Sequence, residues 1–159
     1  MIILQLLLLL LLANGAPILA RKMLHSTFYA PIDRGKLWVD GRPLLGPSKT
    51  WRGIVSSVAL TMLVAPLLGL TAGIGFLIAV TAMAGDLFSS FIKRRLAKAP
   101  SSQVMGLDQI PESLLPLLAV MSPLSLSLWE VLAVLLLFLS VGAFISKLLF
   151  LVGIRKRPY

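Results

Sequence analysis

The chain has 159 residues, of which 58% are hydrophobic and 13% charged, and its mean hydropathy is +0.96. An ordinary soluble domain is about 45–50% apolar, so the composition excludes one and identifies an integral membrane protein. Fifteen Lys and Arg against six acids give a net charge of +9, and with no cysteine and one histidine, His25, disulfides, thiol chemistry and a multi-histidine metal site are excluded.

About twenty apolar residues cross a bilayer as a helix. By that rule the chain is an all-α membrane protein with about five transmembrane helices in one domain over residues 1–159. The expected spans run at about 2–20, 53–70, 71–91, 114–128 and 131–152. The second and third spans form one tight hairpin and the fourth and fifth another. The first span has no positive charge ahead of it and is longer than a signal-peptide core, so it reads as a retained anchor.

The charges orient the spans. Arg21, Lys22, Arg34, Lys36, Arg42, Lys49 and Arg52 fall in a loop at about 21–52, and Lys93, Arg94, Arg95 and Lys98 in one at about 92–113. Arg155, Lys156 and Arg157 follow the last span, and Lys147 lies near its inner end, where it can snorkel. The opposite side carries only Glu130. Positive charge gathers on the cytoplasmic side, so the amino terminus is expected outside, and the carboxyl terminus and both polar loops inside. That bias also accounts for the basic balance, and no nucleic-acid partner is expected.

In the first loop, Asp40-Gly41 suits a short hairpin, and Gly46-Pro47 a second break. The segment "GPSKTWRG" then places Lys49, Thr50 and Arg52 at the amino end of the second span, an end that favours anions. It is not a Walker A loop, whose glycine spacing is absent. Trp51 reads as an interfacial anchor and the Asp33-Arg34 and Asp40-Arg42 pairs as solvated charges. Asn14, beside Gly15 and Pro17, reads as capping a break, joining helices or hydrogen-bonding a base.

The third span ends in "AGDLFSSFIKRRLAK". From Asp86, Ser89 and Ser90 are three and four residues on, and Lys93 and Arg94 seven and eight, so all share one helical face. Basic residues at an inner helix end are explained by the helix dipole. Asp86 is not: a carboxylate in a span costs roughly 2.5–3.5 kcal/mol at the centre, less near the end, and marks function by default. A structural Asp86–Arg94 pair is the plain alternative. Asp108 and Glu112 are the only acids of the second loop; Pro111 suits a first helical turn, where Glu112 would complement the helix end. Should Asp108 fold back towards Asp86, two carboxylates would share a metal at the interface, suited to phosphoryl transfer.

These residues resemble the phosphatidate cytidylyltransferase (CDP-diacylglycerol synthase) family. Gly85-Asp86-Leu87 and Ser90-Phe91-Ile92-Lys93-Arg94 match its core, "GLDQI" its acidic loop with Asp108 in the acidic position, and "KTWRG" its Lys-Thr-x-Glu-Gly segment. Lys98 is followed by Ala99 and Pro100, the family's His-Gly-Gly is reduced to Met105-Gly106, its Arg is Gln109, and a further Asp is Pro111 beside Glu112. With "DGRPLLGPSKTWRG", these features are similar to the archaeal branch, the CDP-archaeol synthases. The resemblance implies that CTP and 2,3-bis-(O-geranylgeranyl)-sn-glycerol 1-phosphate, a prenylated glycerol phosphate lipid, give CDP-archaeol and pyrophosphate with Mg²⁺.

The expected assignment follows. Asp86, Asp108 and Lys93 are catalytic, and Asp86, Asp108 and Glu112 hold metal. Lys49, Thr50, Arg52, Ser89, Ser90, Arg94 and Asn14 bind nucleotide or phosphate. A homodimer is compatible with the sequence. A CTP-dependent polyprenol kinase and a non-catalytic protein that grips anionic headgroups are the alternatives.

Overall fold

A computed structural model describes residues 1–98 and 106–151, with side chains to residue 144. Lys98 is thus the last described residue before position 106. Met105, Pro100, the Lys147 side chain and the basic run at 155–157 lie outside the described residues. Among the described residues there are five α-helices, in order α1 Ile2–Leu24, α2 Trp51–Val64, α3 Ala72–Arg95, α4 Gln109–Met121 and α5 Leu128–Leu151. A 3-10 turn, Pro66–Leu68, extends α2. Among the described residues the only β-pairing is two isolated bridges, Pro31 with Thr50 and Leu37 with Pro43. Ile2–Leu24, Trp51–Leu68 and Ala72–Arg95 are long and apolar enough to cross a membrane; α4 and the apolar stretch Leu128–Phe144 are shorter.

α1 carries Pro17 inside a helix. Proline has no N–H, so the Ala13 carbonyl four residues back loses its helical donor. Ser57 on α2 takes that carbonyl at 2.7 Å. Asn14 Nδ2 donates to Leu10 O within the same helix at 2.9 Å. The break is thereby satisfied inside the protein, as a membrane environment requires. It also brings α2 close, with the Cβ position of Gly53 3.3 Å from Pro17 Cβ.

α3 runs through the middle, against α1, α2 and α4. Where lipid tails are as apolar as leucine, close approach at small residues holds helices together. Gly75 lies under the Thr61 carbonyl of α2, and Gly85 under the Pro111 carbonyl of α4; a methyl group at either would overlap backbone. Leu6, Leu9, Leu10, Ile78, Leu117 and Val134 fill the space between helices.

The helices outrun the apolar stretches at their polar ends. α1 continues through Arg21 and Lys22 to Leu24 and stops at His25, whose φ is +45°. α3 keeps Lys93, Arg94 and Arg95 in its last turn, where they complement the dipole. α4 begins at Gln109, with Glu112 in its first turn. The Asp40-Gly41 hairpin is present: Trp38 N donates to Arg42 O at 2.8 Å, Leu44 N to Lys36 O at 2.9 Å, and Gly41 has φ +72°. Arg95 clasps this hairpin to the end of α3. It pairs with Asp40, donates to Pro43 O at 2.6 Å, and lies 6.0 Å from the Trp38 ring and 5.1 Å from the Phe91 ring.

Candidate active site

The end of α1, the segment 29–50, the start of α2, the last turns of α3 and the start of α4 enclose one cavity of about 700 Å³. Its lining divides by chemistry. Lys49, Arg52, Arg21 and Lys93 supply positive charge, and Asp86, Asp108 and Glu112 the carboxylates. Leu11, Ile18, Ile54, Met83 and Phe138 supply apolar surface.

Asp86 is the centre of the acidic group. Lys49 Nζ lies 2.5 and 2.6 Å from its two carboxylate oxygens, with both side chains about one-fifth exposed. The Glu112 carboxyl faces that of Asp86 and feels its charge, and the charge of Asp108 as well. Two carboxyl groups in contact need a proton or a cation between them. The close passage of α3 over α4 at Gly85 makes this contact, because the clash that a side chain would cause there is with Pro111 and Glu112 N. Asp108 meets Lys93 Nζ at 2.8 Å, and both are mostly buried.

The expected site residues therefore separate into two groups. Asp86, Asp108, Glu112, Lys49, Lys93, Thr50, Arg52 and Asn14 all line the cavity. Ser89, Ser90 and Arg94 are buried at 0, 3 and 4% exposure and are not part of its wall. Ser89 Oγ donates to Asp86 O at 3.0 Å, within its own helix. Thr50 Oγ1 accepts from Gly53 N at 3.2 Å, capping α2. Arg52 Nη1 donates to the carbonyls of His25 at 2.9 Å and Thr27 at 2.7 Å, fastening the end of α1 to the start of α2. Asp86 pairs with Lys49 rather than with Arg94. Trp51 is half exposed, and His25 is an exposed helix-end residue.

Residues beyond that assignment also reach the site. Arg21 lines the cavity, and its spacing of seven from Asn14 on α1 signals a shared face. Gln109 and Tyr29 line it too, and Tyr29 Oη donates to Pro47 O at 2.8 Å. Asp33, expected as a solvated charge, is instead only 4% exposed. Burial alone would raise its pKa, but the N–H groups of Gly46, Leu45 and Gly35 hold it below the ordinary aspartate value. The sequence signal was the Asp-x-Gly spacing, in which an aspartate bonds the amide two residues on.

Among the described residues no three or more His, Cys, Asp or Glu side chains converge as a ready metal cage. The contacting pair Asp86 and Glu112 is nonetheless a donor set that suits Mg²⁺, which is usually held by one or two carboxylates together with substrate phosphates. The mixture of cations, carboxylates and an apolar flank can hold a phosphorylated ligand that has an apolar part.

The chain matches a family model described as "CarS-like: CDP-archaeol synthase", over residues 1–74 and 68–159. It is 44% identical over 89 residues to the CDP-archaeol synthase of Pyrococcus furiosus, covering 50% of this chain and 53% of that one. To the Hyperthermus butylicus CDP-archaeol synthase it is 40% identical over 105 residues, 62% and 59% of the two chains. The chain thus spans a little over half the length of these two relatives. Against the Sulfurisphaera tokodaii CDP-archaeol synthase the identity is 33% over 135 residues, 81% of each chain. A solved structure described as "Structural insight into an intramembrane enzyme for archaeal membrane lipids biosynthesis" superposes with a TM-score of 0.65 at 32% identity, covering 87% of this chain and 90% of that one. The chain belongs to the CDP-archaeol synthase family.

Proposed function

We propose that this protein is a cytidylyltransferase of the cell membrane. It transfers CMP from CTP to a prenylated glycerol phosphate, 2,3-bis-(O-geranylgeranyl)-sn-glycerol 1-phosphate, and releases pyrophosphate. The observation that carries the reading is the meeting of Lys49, Asp86 and Glu112 at one cavity that also has an apolar wall. Family membership supplies the nucleotide and the class of lipid.

The lipid phosphate is already an anion near neutral pH, so it needs no covalent residue and no strong base to attack the α-phosphorus. Positioning and charge neutralisation carry such a transfer. Lys49 and Lys93 flank the carboxylates and neutralise phosphate oxygens as charge moves onto the leaving pyrophosphate. Asp86 and Glu112 would hold Mg²⁺, with Asp108 beside them orienting Lys93. When bound, the metal offsets the negative charge of the triphosphate. Arg52 and Thr50 shape the rim by fixing the start of α2, and Ser89, Ser90 and Arg94 brace the last turns of α3. The prenyl chains lie along the apolar wall.

The orientation belongs to the same proposal. The amino terminus faces outward, the loops at about 21–52 and 92–113 and the carboxyl terminus face the cytoplasm, and the cavity opens there to CTP. The one-sided distribution of Lys and Arg supports it.

The test is product analysis. The purified protein is incubated with Mg²⁺, CTP labelled in the α-phosphate, and either an ether-linked prenyl or an ester-linked acyl glycerol phosphate. Label in lipid with release of pyrophosphate, preferring the ether lipid, is expected. Label recovered in soluble CDP would make the protein a kinase. A folded protein that consumes no CTP would return it to headgroup binding.

A further inference from the structure

The segment that delivers Lys49 to Asp86 is irregular, and irregular backbone needs something to hold its shape. Asp33 is that centre. Its Oδ2 accepts from Leu45 N at 2.9 Å and Gly46 N at 2.7 Å, and its Oδ1 from Gly35 N at 3.1 Å. The residues beside it are stitched to the far end of the same segment: Ile32 N donates to Lys49 O at 2.9 Å, and Trp51 N to Ala30 O at 3.0 Å.

The turn held by Asp33 is the one that aims Lys49. Gly46 has φ +95°, a conformation that favours glycine. Its carbonyl accepts from Lys49 N at 3.2 Å, reversing the chain so that Pro47, Ser48, Lys49 and Thr50 face the cavity. A β-carbon at Gly46 would sit 3.9 Å from Arg94 Cδ, so the turn also rests on the last turns of α3. Asp33 itself does not line the cavity.

We infer that Asp33 is a positioning residue for the nucleotide: through the Leu45 and Gly46 amides it fixes the turn that carries Lys49 onto Asp86, and so sets the affinity for CTP and not for the lipid. The inference rests on the reading of the cavity as a CTP site. The lipid's chains meet apolar helix surface that this turn does not hold, which separates the two affinities.

The experiment uses the full chain in detergent. CTP binding in Mg²⁺ is measured by calorimetry for the wild type, Asp33→Ala and Asp33→Asn, alongside the melting temperature and the KM for the lipid phosphate. Asp33→Ala strands three N–H groups and is expected to weaken CTP binding about tenfold or more. Asp33→Asn keeps one acceptor oxygen and is expected to fall between, and it carries the test should Asp33→Ala not fold. The lipid KM stays at the wild-type value. A purely stabilising aspartate would lower the melting temperature and leave the CTP affinity of the folded fraction unchanged; that result overturns the inference alone. A folded wild type that binds no CTP overturns the cytidylyltransferase reading and this inference with it.

Discussion

Lys49 holds both carboxylate oxygens of Asp86 across 37 residues of sequence, at 2.5 and 2.6 Å. The pair ties the polar segment before α2 to α3 and places a cation and a carboxylate on the wall of the same cavity. Each partner has separate work in the proposed reaction. Lys49→Met removes the proposed phosphate contact and is expected to lower kcat/KM by roughly two to three orders of magnitude, the range for losing one preorganised charge-stabilising donor. Asp86→Asn is expected to abolish turnover in a protein that still folds. Steady-state kinetics together with size-exclusion profiles check both; near-normal rates in either variant would remove the pair from the reaction.

Glu112 makes a second prediction, about metal. Glu112→Gln keeps the size of the side chain that faces Asp86 but removes one of the two charges that favour a dication. The Mg²⁺ concentration giving half-maximal rate is expected to rise about tenfold or more, the scale on which altered ligand shells change metal affinity. A titration of rate against Mg²⁺ reads this directly. An unchanged midpoint would place the metal elsewhere.

Two glycines separate packing from catalysis. A methyl group at Gly85 overlaps Pro111 and pushes Glu112 away from Asp86, whereas one at Gly75 overlaps Thr61 and Ala65, away from the cavity. Overpacking of this kind costs about 1–3 kcal/mol. Both Gly85→Ala and Gly75→Ala are expected to melt at a lower temperature in detergent. Only Gly85→Ala is expected to lose activity out of proportion to the folded fraction.

Asp33 gives a pH prediction. Its pKa in the folded chain is below the ordinary 3.8, through amide hydrogen bonds that outweigh burial. A lowered carboxylate pKa contributes stability that is fully present above the unfolded value and is lost as pH falls through the folded value. The stability difference between wild type and Asp33→Asn is therefore expected to be constant from pH 5 to 8 and to shrink as pH drops below 3.8. Melting curves across pH measure it; a difference that grows on acidification would reverse the sign and contradict the assignment.

Much of this site was legible in the sequence, for reasons that are local. Helical spacing puts Asp86 and Lys93 on one face, and the cost of a carboxylate in an apolar run marks Asp86. The Asp40-Gly41 pair announces its hairpin. What spacing could not show is which of several polar groups turn inward to other protein. Ser89, Ser90 and Arg94 share the face of Asp86, but they are buried in the protein and stay off the cavity wall. Arg52 is a cation at a helix amino end, which suggests a phosphate, yet its nearest acceptors are carbonyls freed where α1 stops. Asp33 looked solvated because its partners, Leu45 and Gly46, lie 12 and 13 residues ahead. The partner of Asp86 was equally out of reach: a pairing across 37 residues follows from the fold of the intervening segment and not from any periodicity.

One comparison decides whether cytidylyl transfer takes place at the Lys49–Asp86–Glu112 cluster. Purified wild type and Asp86→Asn are given Mg²⁺, the prenylated glycerol phosphate, and CTP labelled in the α-phosphate, and the lipid fraction is counted. Label in lipid with stoichiometric pyrophosphate is expected for the wild type, and none above background for a folded Asp86→Asn. Equal labelling by the two proteins would remove Asp86 from the reaction, and label that never enters lipid with the wild type would rule out cytidylyl transfer.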